Sequence, residues 1–341
     1  MFGRGCLCSL NEELAALGVR RVLVLSTREQ SDIAAAIAAN LAPRAAAVFA
    51  PARIDVALES IKEAIDYVRF VDADGVLSVG GGTTIGLGNA IGLKHRLPNL
   101  AIPTTFSGSE LAPAYGITDD RDTRGLPRTV LYDPDLVSPL PYTACVTSAF
   151  NAIAHAAEAL YASDANPEIS RMAEEGIRSM TACLRSLAAS PLSATAREQG
   201  LHGASLCCSV LGAATMGLHH HLCHTLRRSW NLPHAETHTV MLPHTLAYNA
   251  AYAPAAMARA ARALGATDSD APRAIYQMLH GCPAPRALKD LGMPAQLLDQ
   301  VADDLAMQDC WPNPRPLERA AIRQLLQDAY EGRRPRSGNR R

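Results

Sequence analysis

The chain has 341 residues, 48% of them apolar and 19% charged, with a formal net charge of −1 at pH 7. That length can bury two substantial cores, and so even a charge balance, with no basic patch interleaved with aromatics, argues against a nucleic-acid partner. The apolar runs are too short for a spanning helix, the opening MFGRGCLC carries no signal-peptide stretch, and the nine cysteines show no CxxC spacing. A cytoplasmic protein with reduced thiols and no membrane partner is expected.

In chain order, VRRVLVLS from Val19 to Ser26 reads as a buried strand. A helical stretch through Ala39 follows, then the short apolar run AAAVFAP and a helix over Val56 to Tyr67. DGVLSVGGG is a strand running into three glycines, and LAIPTT is another strand, running into FSGSE. Strands alternating with helices predict a parallel sheet covered on both faces. After YDPDL and SPLPY the pattern turns helical from Thr147 onward, with turn signals near Asn166-Pro167, Ser190-Pro191, Asn231 to Pro233 and Pro312 to Pro316. The expected organisation is an α/β dinucleotide-binding domain over 1–143, a helical catalytic domain over 144–332, and a basic, disordered tail over 333–341. A ligand of an open parallel sheet binds beyond the carboxyl ends of its strands, which places the cofactor between the halves.

Gly80, Gly81 and Gly82 follow a β-branched strand, and Thr83 and Thr84 open the next helix. Unhindered backbone N–H groups and a positive helix end suit a pyrophosphate, although the pattern is neither GxGxxG nor the lysine-bearing loop of triphosphatases. A second turn, Pro103 to Glu110, crowds the hydroxyls of Thr104, Thr105, Ser107 and Ser109 around Gly108. Ser26 ends the first strand where an acidic ribose reader would stand, so weak discrimination between NADH and NADPH is expected.

Seven of the eleven histidines fall between His219 and His244, and another, His155, lies in FNAIAHAAEALYA. Helical spacing puts Asn151 with His155, and His220 with His224, on shared faces. Convergent imidazoles suit metal binding or proton transfer. Cys223, inside the histidine stretch, is expected to pack in the core.

Together, GGGTT, IPTTFSGSE, FNAIAHAAEALYA and GLHHHLCHTL…NLPHAETHTVMLPH resemble the maleylacetate reductases, a family of the iron-containing alcohol dehydrogenase-like superfamily. The likeness runs from about residue 3 to about residue 332 and includes the late NPRPL. It implies the dehydroquinate synthase-like fold of that superfamily: an α/β domain with a Rossmann-like parallel sheet, followed by an all-α domain. The family usually has one more strand ahead of the segment matching Phe2 to Gly5.

The resemblance also implies reduction of the carbon–carbon double bond of 2-maleylacetate to 3-oxoadipate by NADH or NADPH, in the catabolism of aromatic compounds. It carries the superfamily's metal-binding aspartate and three histidines onto Asn151, His155, His220 and His234. A neutral amide at residue 151 is a poorer ligand than a carboxylate, so a tightly held metal is not expected. His224 or His234 is expected to protonate or stabilise the enolate oxygen, with His155, His220 and Asn151 orienting the substrate. Arg128 would lie near the nicotinamide ribose. Arg227 and Arg228, where the family commonly has glycines, would bind the small dicarboxylate or fill its pocket, and His238 would reach that pocket. A homodimer is implied too. The alternatives are a metal-dependent alcohol or aldehyde dehydrogenase of the same superfamily, or a catalytically altered binding relic.

Overall fold

The computed structural model describes residues 1–51, 58–112, 126–307 and 311–336. They belong to two compact units, Met1–Leu140 and Pro141–Arg341. The first holds strands β1 (Val22–Leu25), β2 (Ala45–Phe49), β3 (Gly75–Gly80), β4 (Asn99–Pro103) and β5 (Thr129–Val130), with helices α1 (Leu10–Ala16), α2 (Ser31–Asn40), α3 (Leu58–Phe70) and α4 (Gly82–His95). All pairings are parallel, in the order β2-β1-β3-β4-β5.

Strand periodicity explains the layering. Val22, Val24, Leu77 and Val79 project to one face and pack with Leu10, Leu14 and Ile37 of α1 and α2. Leu23, Leu25 and Val76 project to the other and pack with Ile61, Ile65, Leu87 and Ile91 of α3 and α4. Both faces are thus covered, and β1, β3 and β4 are buried along their whole length. The chain leaves β1 toward β2 on one side and reaches β3 on the other, so β1 and β3 flank the switch point where such sheets bind ligands. The helix expected from Val56 begins at Leu58 among the described residues, and residues 52–57 lie outside them.

The described residues of the second unit carry helices and no strand: α5 (Tyr142–Ala159), α6 (Pro167–Ala189), α7 (Ala194–Ala213), α8 (Leu218–Trp230), α9 (His234–Asn249), α10 (Pro254–Ala263), α11 (Ala271–His280), α12 (Leu297–Ala306) and α13 (Arg319–Glu331). Its starts follow local chemistry. The Asn166 side chain accepts the N–H groups of Glu168 and Ile169, with Pro167 at the first helical position, and Ser193 and Asp270 cap α7 and α11 in the same way. Helix α5, rich in small residues, is buried from Cys145 to Ala159 and forms the centre of the unit.

The start of the expected basic tail is anchored rather than loose. Arg333 donates its backbone N–H to the Asp328 carbonyl at 2.9 Å, and its guanidinium lies 3.7 Å from the Asp328 carboxylate. Acidic residues at the end of α13 supply the complementary charge. Residues 337–341 of that tail lie outside the described residues. Among the described residues no single helix is long and apolar enough to cross a membrane.

Candidate active site

In the first unit the glycine turn and the hydroxyl-rich turn are pressed together at the carboxyl ends of β3 and β4. The Thr104 N–H donates to the Gly80 carbonyl at 3.0 Å. A Cβ on Gly81 would stand 3.1 Å from Thr105, and one on Gly82 would stand 3.1 Å from Ser109. Only glycine allows that approach without displacing its neighbours. Gly81 precedes α4 with no side-chain cap, and the first turn of α4 holds no acid, so its free N–H groups and dipole favour an anion.

Ser26, at the end of β1, is buried, and its hydroxyl and that of buried Thr84 lack hydrogen-bond partners. Unmatched donors beside a glycine cradle fit the phosphates and ribose of a dinucleotide. Gln30 adds a link that sequence reading missed, donating to Thr104 Oγ1 at 2.7 Å across the ends of β1 and β4. Arg128 is not part of this group. Its N–H bonds to the Asn99 carbonyl, at the amino end of β4, and its side chain is exposed. Four residues, about 13 Å of strand, separate that end from the turn after Pro103. The Arg128 backbone thus sits at the amino end of β4, while its exposed side chain makes none of the bonds that tie the two turns together.

In the second unit three helices each offer polar side chains at i and i+4, with a further residue at i+7. Helix α5 gives Asn151, His155 and Glu158; α8 gives His220, His224 and Arg227; α9 gives His234, His238 and Met241. The His155 and His220 ring centroids lie 4.9 Å apart, His220 and His238 5.2 Å, His234 and His238 4.5 Å, and His224 and His234 5.7 Å. Asn151, His155, His220 and His238 are buried, His234 is half-buried, and His224 is exposed. His221 turns aside and stacks on Trp311 at 4.2 Å.

Glu158, unforeseen from sequence, organises one end of this group. Helix α8 starts at Gly217 without a cap of its own. The Glu158 carboxylate replaces it, accepting the backbone N–H of His219 at 2.8 Å and of His220 at 3.3 Å, and it also accepts from His220 Nδ1. A side chain at residue 217 would crowd that carboxylate, since its Cβ would lie 3.3 Å from Oε1. Burial alone would raise the Glu158 pKa, but the hydrogen bond and charge of His220, then His219, outweigh it and hold it at about 2. The available signal was its position on the Asn151–His155 stripe.

Elsewhere burial disfavours the imidazolium. It pushes His219 down to about 3, and burial followed by the charge of Arg227 and by His220 pushes His234 down to about 3. Desolvation, then His234 and His220, push His224 down as well, an effect that its solvent contact weakens. Arg227 is half-buried and acts on His234, whereas Arg228 is exposed. Cys223 packs in an apolar cluster with Leu222, Leu226 and Val240.

The carried-over metal set does not assemble. Among the described residues, the group of three donor atoms mutually within 4.8 Å is His219, Cys223 and His238, and it contains none of His155, His220 and His234. Nor does that group suit an ion, because His219 Nε2 and His238 Nδ1 already share a hydrogen bond at 3.0 Å. The Glu158 bond to His220 Nδ1 leaves His220 Nε2 buried and unpartnered, which a metal ligand could also show. The misfit lies instead in the neutral amide at residue 151 and in His155, His220 and His234 not converging on one point, so the residues present do not fit a tightly held divalent metal.

A parallel switch-point sheet with a glycine-cradled helix end, followed by a histidine-bearing helical unit, matches two family models. These are "Iron-containing alcohol dehydrogenase" over residues 1–139 and "Fe-containing alcohol dehydrogenase family, C-terminal" over residues 145–330. The chain belongs to the iron-containing alcohol dehydrogenase family. Within that family its relatives are maleylacetate reductases. The one from Burkholderia cepacia is 52% identical, with 98% of this chain and 96% of that protein covered. The solved maleylacetate reductase from Rhizobium sp. strain MTP-10005 is 45% identical over the same shares, with a TM-score of 0.87. A putative alcohol dehydrogenase from Ralstonia eutropha JMP134 is 51% identical, again over 98% and 96%, with a TM-score of 0.93.

Proposed function

We infer that this chain is a maleylacetate reductase, reducing the carbon–carbon double bond of 2-maleylacetate to give 3-oxoadipate, with NADH or NADPH as the reductant. The observation that carries this reading is the crowd of imidazoles kept neutral by burial, on a chain that has asparagine at the place of the superfamily's metal-binding carboxylate. Such a site suits charge developing on a ketone oxygen better than it suits a divalent cation.

The bound nicotinamide supplies a hydride to the alkene carbon distal to the ketone. The alkene electron pair then shifts toward the ketone, leaving an enolate, and a proton completes the carbon nearer the ketone. What this chain adds is binding and donors. The N–H groups of the Gly80–Gly82 turn and the hydroxyls of Thr83, Thr84, Thr104, Thr105, Ser109 and Ser26 hold the cofactor's phosphates and ribose. His234, half-buried and neutral, donates its N–H to the enolate oxygen, a role in which a neutral imidazole is effective because it need not be charged first. His224, 5.7 Å from it between ring centroids and open to solvent, passes the proton. Arg227 takes a carboxylate of the substrate. His155, His220 and Asn151 orient the chain of the substrate. Residues 1–143 and 144–332 thus divide the labour between cofactor and chemistry. A cytoplasmic homodimer is the form in which enzymes of this size commonly work.

The test is direct. Purified protein with 2-maleylacetate should consume NADH, followed by its absorbance, and form an equal amount of 3-oxoadipate after exhaustive chelation. Absence of turnover, or activity restored only by iron or zinc, would overturn the reading.

A further inference from the structure

Three buried side chains form an unbroken hydrogen-bonded line that ends in the imidazole group. Thr245 Oγ1 lies 2.9 Å from His219 Nδ1, and His219 Nε2 lies 3.0 Å from His238 Nδ1. Each link holds a single proton, so the direction of one link dictates the direction of the next. Thr245 decides it. Its hydroxyl oxygen is 3.1 Å from the Leu242 carbonyl oxygen and 3.2 Å from that of Met241, and carbonyls only accept. Turned toward His219, the hydroxyl proton would leave those oxygens facing one another with nothing between them.

With the hydroxyl proton on the helix carbonyls, His219 Nδ1–H donates to Thr245. His219 Nε2 is then a lone pair, and His238 Nδ1–H donates into it. His238 Nε2 is left bare. That atom is buried without a hydrogen-bond partner, a state that an acceptor tolerates better than an N–H donor.

We propose that Thr245 and His219 are positioning residues that hold His238 as its Nδ1–H tautomer, so that His238 Nε2 accepts a hydrogen bond from an N–H or O–H group bound in the imidazole site. The carboxylates and the ketone of a maleylacetate-like substrate offer acceptors only, so His238 does not grip them. It selects instead for a neutral donor beside them and leaves the oxyanion to His234. The catalytic consequence rests on the reductase reading above, whereas the tautomer itself does not.

The experiment uses full-length protein labelled with 15N-histidine, free of cofactor and substrate. Two-bond proton–nitrogen correlation reads each ring's tautomer, and the His238 signals are those lost in His238→Asn. Nε2 should show the shift of an unprotonated nitrogen in the wild type and in Thr245→Ser, and a partly protonated shift in the near-isosteric Thr245→Val. In NADH-consumption kinetics, the partly protonated Nε2 in Thr245→Val offers the acceptor-only substrate a second donor that competes with His234, so kcat should fall severalfold with the NADH KM unchanged, and Thr245→Ser should restore it. A protonated Nε2 in the wild type overturns the proposal. An unaltered tautomer in Thr245→Val removes Thr245 from it. Because the spectra are recorded without substrate, failure of the reductase reading would leave the tautomer result standing, and the reverse.

Discussion

The two units build their sites from different material. In the first, the groups that meet a ligand are backbone N–H groups and small hydroxyls, held by a strand-to-helix turn where a Cβ would intrude. In the second they are side chains projected from three helices, and their properties depend on each other: Glu158 acts on His220, and Thr245 acts on His219 and through it on His238. A backbone site tolerates many side-chain changes and few changes of shape. The imidazole site should be the reverse, robust to shape and sensitive to single polar atoms.

Two substitutions in the helical unit press hardest on that contrast. His234→Ala removes the proposed donor, and kcat should fall on the order of a thousandfold while the NADH KM stays within a few-fold of the wild type. A fall confined to KM would place His234 in binding rather than chemistry. Glu158→Gln keeps the shape and removes the charge. Breaking a buried pair of this kind costs about 3 kcal/mol, read as a lower urea midpoint at an unchanged slope. The carboxamide can still accept one N–H at the start of α8, so an unchanged midpoint would show that capping, not charge, is what the carboxylate contributes.

The difference between the units also explains what could be read before any coordinates. The alternating strands and helices, the glycine turn and the change to helical pattern near residue 143 are local signals, each written within a few consecutive residues. The histidine group was legible as a concentration of imidazoles, and the i, i+4 pairs Asn151–His155 and His220–His224 do share faces. Its wiring was not. Glu158, His219 and Thr245 lie on three different helices, and which of them pairs with which is a matter of helix packing that no spacing records. The placement of Arg128 was not legible either, because it depends on the register of β5 against β4, a long-range pairing that no local spacing records. For the arginine pair, α8 itself supplies the answer. Arg227 shares the stripe of His220 and His224, and Arg228, one residue on, is turned 100° away and is exposed.

A third test sharpens the comparison through pH. His244, buried in α9, has its pKa lowered by burial to about 4, against 6.5 in the unfolded chain. Between those values the unfolded chain holds the proton and the folded one does not. Stability from this residue is therefore complete above pH 6.5, falls as the pH drops toward 4, and changes no further below. Over the whole window, 2.5 pH units, the loss is about 3 kcal/mol. His244→Leu should flatten the acid limb of unfolding free energy against pH by roughly that amount. An identical limb would mean that the ring titrates freely in the folded state. Among the described residues of the first unit no histidine is buried, so this acid sensitivity should belong to the helical unit, as amide hydrogen exchange at pH 5 would show region by region.

The smallest effect is expected in the backbone site, and it is the one that separates shape from chemistry. Gly81→Ala adds a single carbon 3.1 Å from Thr105 Cγ2, close enough to require a shift of a few tenths of an ångström but not to block the turn. Gly81→Val adds two more carbons in the same space. Overpacking of this kind costs about 1–3 kcal/mol, so the NADH dissociation constant should rise about ten- to hundredfold for valine. The alanine variant should rise by much less, while kcat at saturating NADH stays near the wild type in both. That ordering is a prediction about steric exclusion alone, since neither substitution removes a donor or a charge. If instead valine lowered kcat and left NADH binding untouched, the glycine turn would be acting on the chemistry, and the division of labour between a backbone-built cofactor site and a side-chain-built reaction site would be wrong.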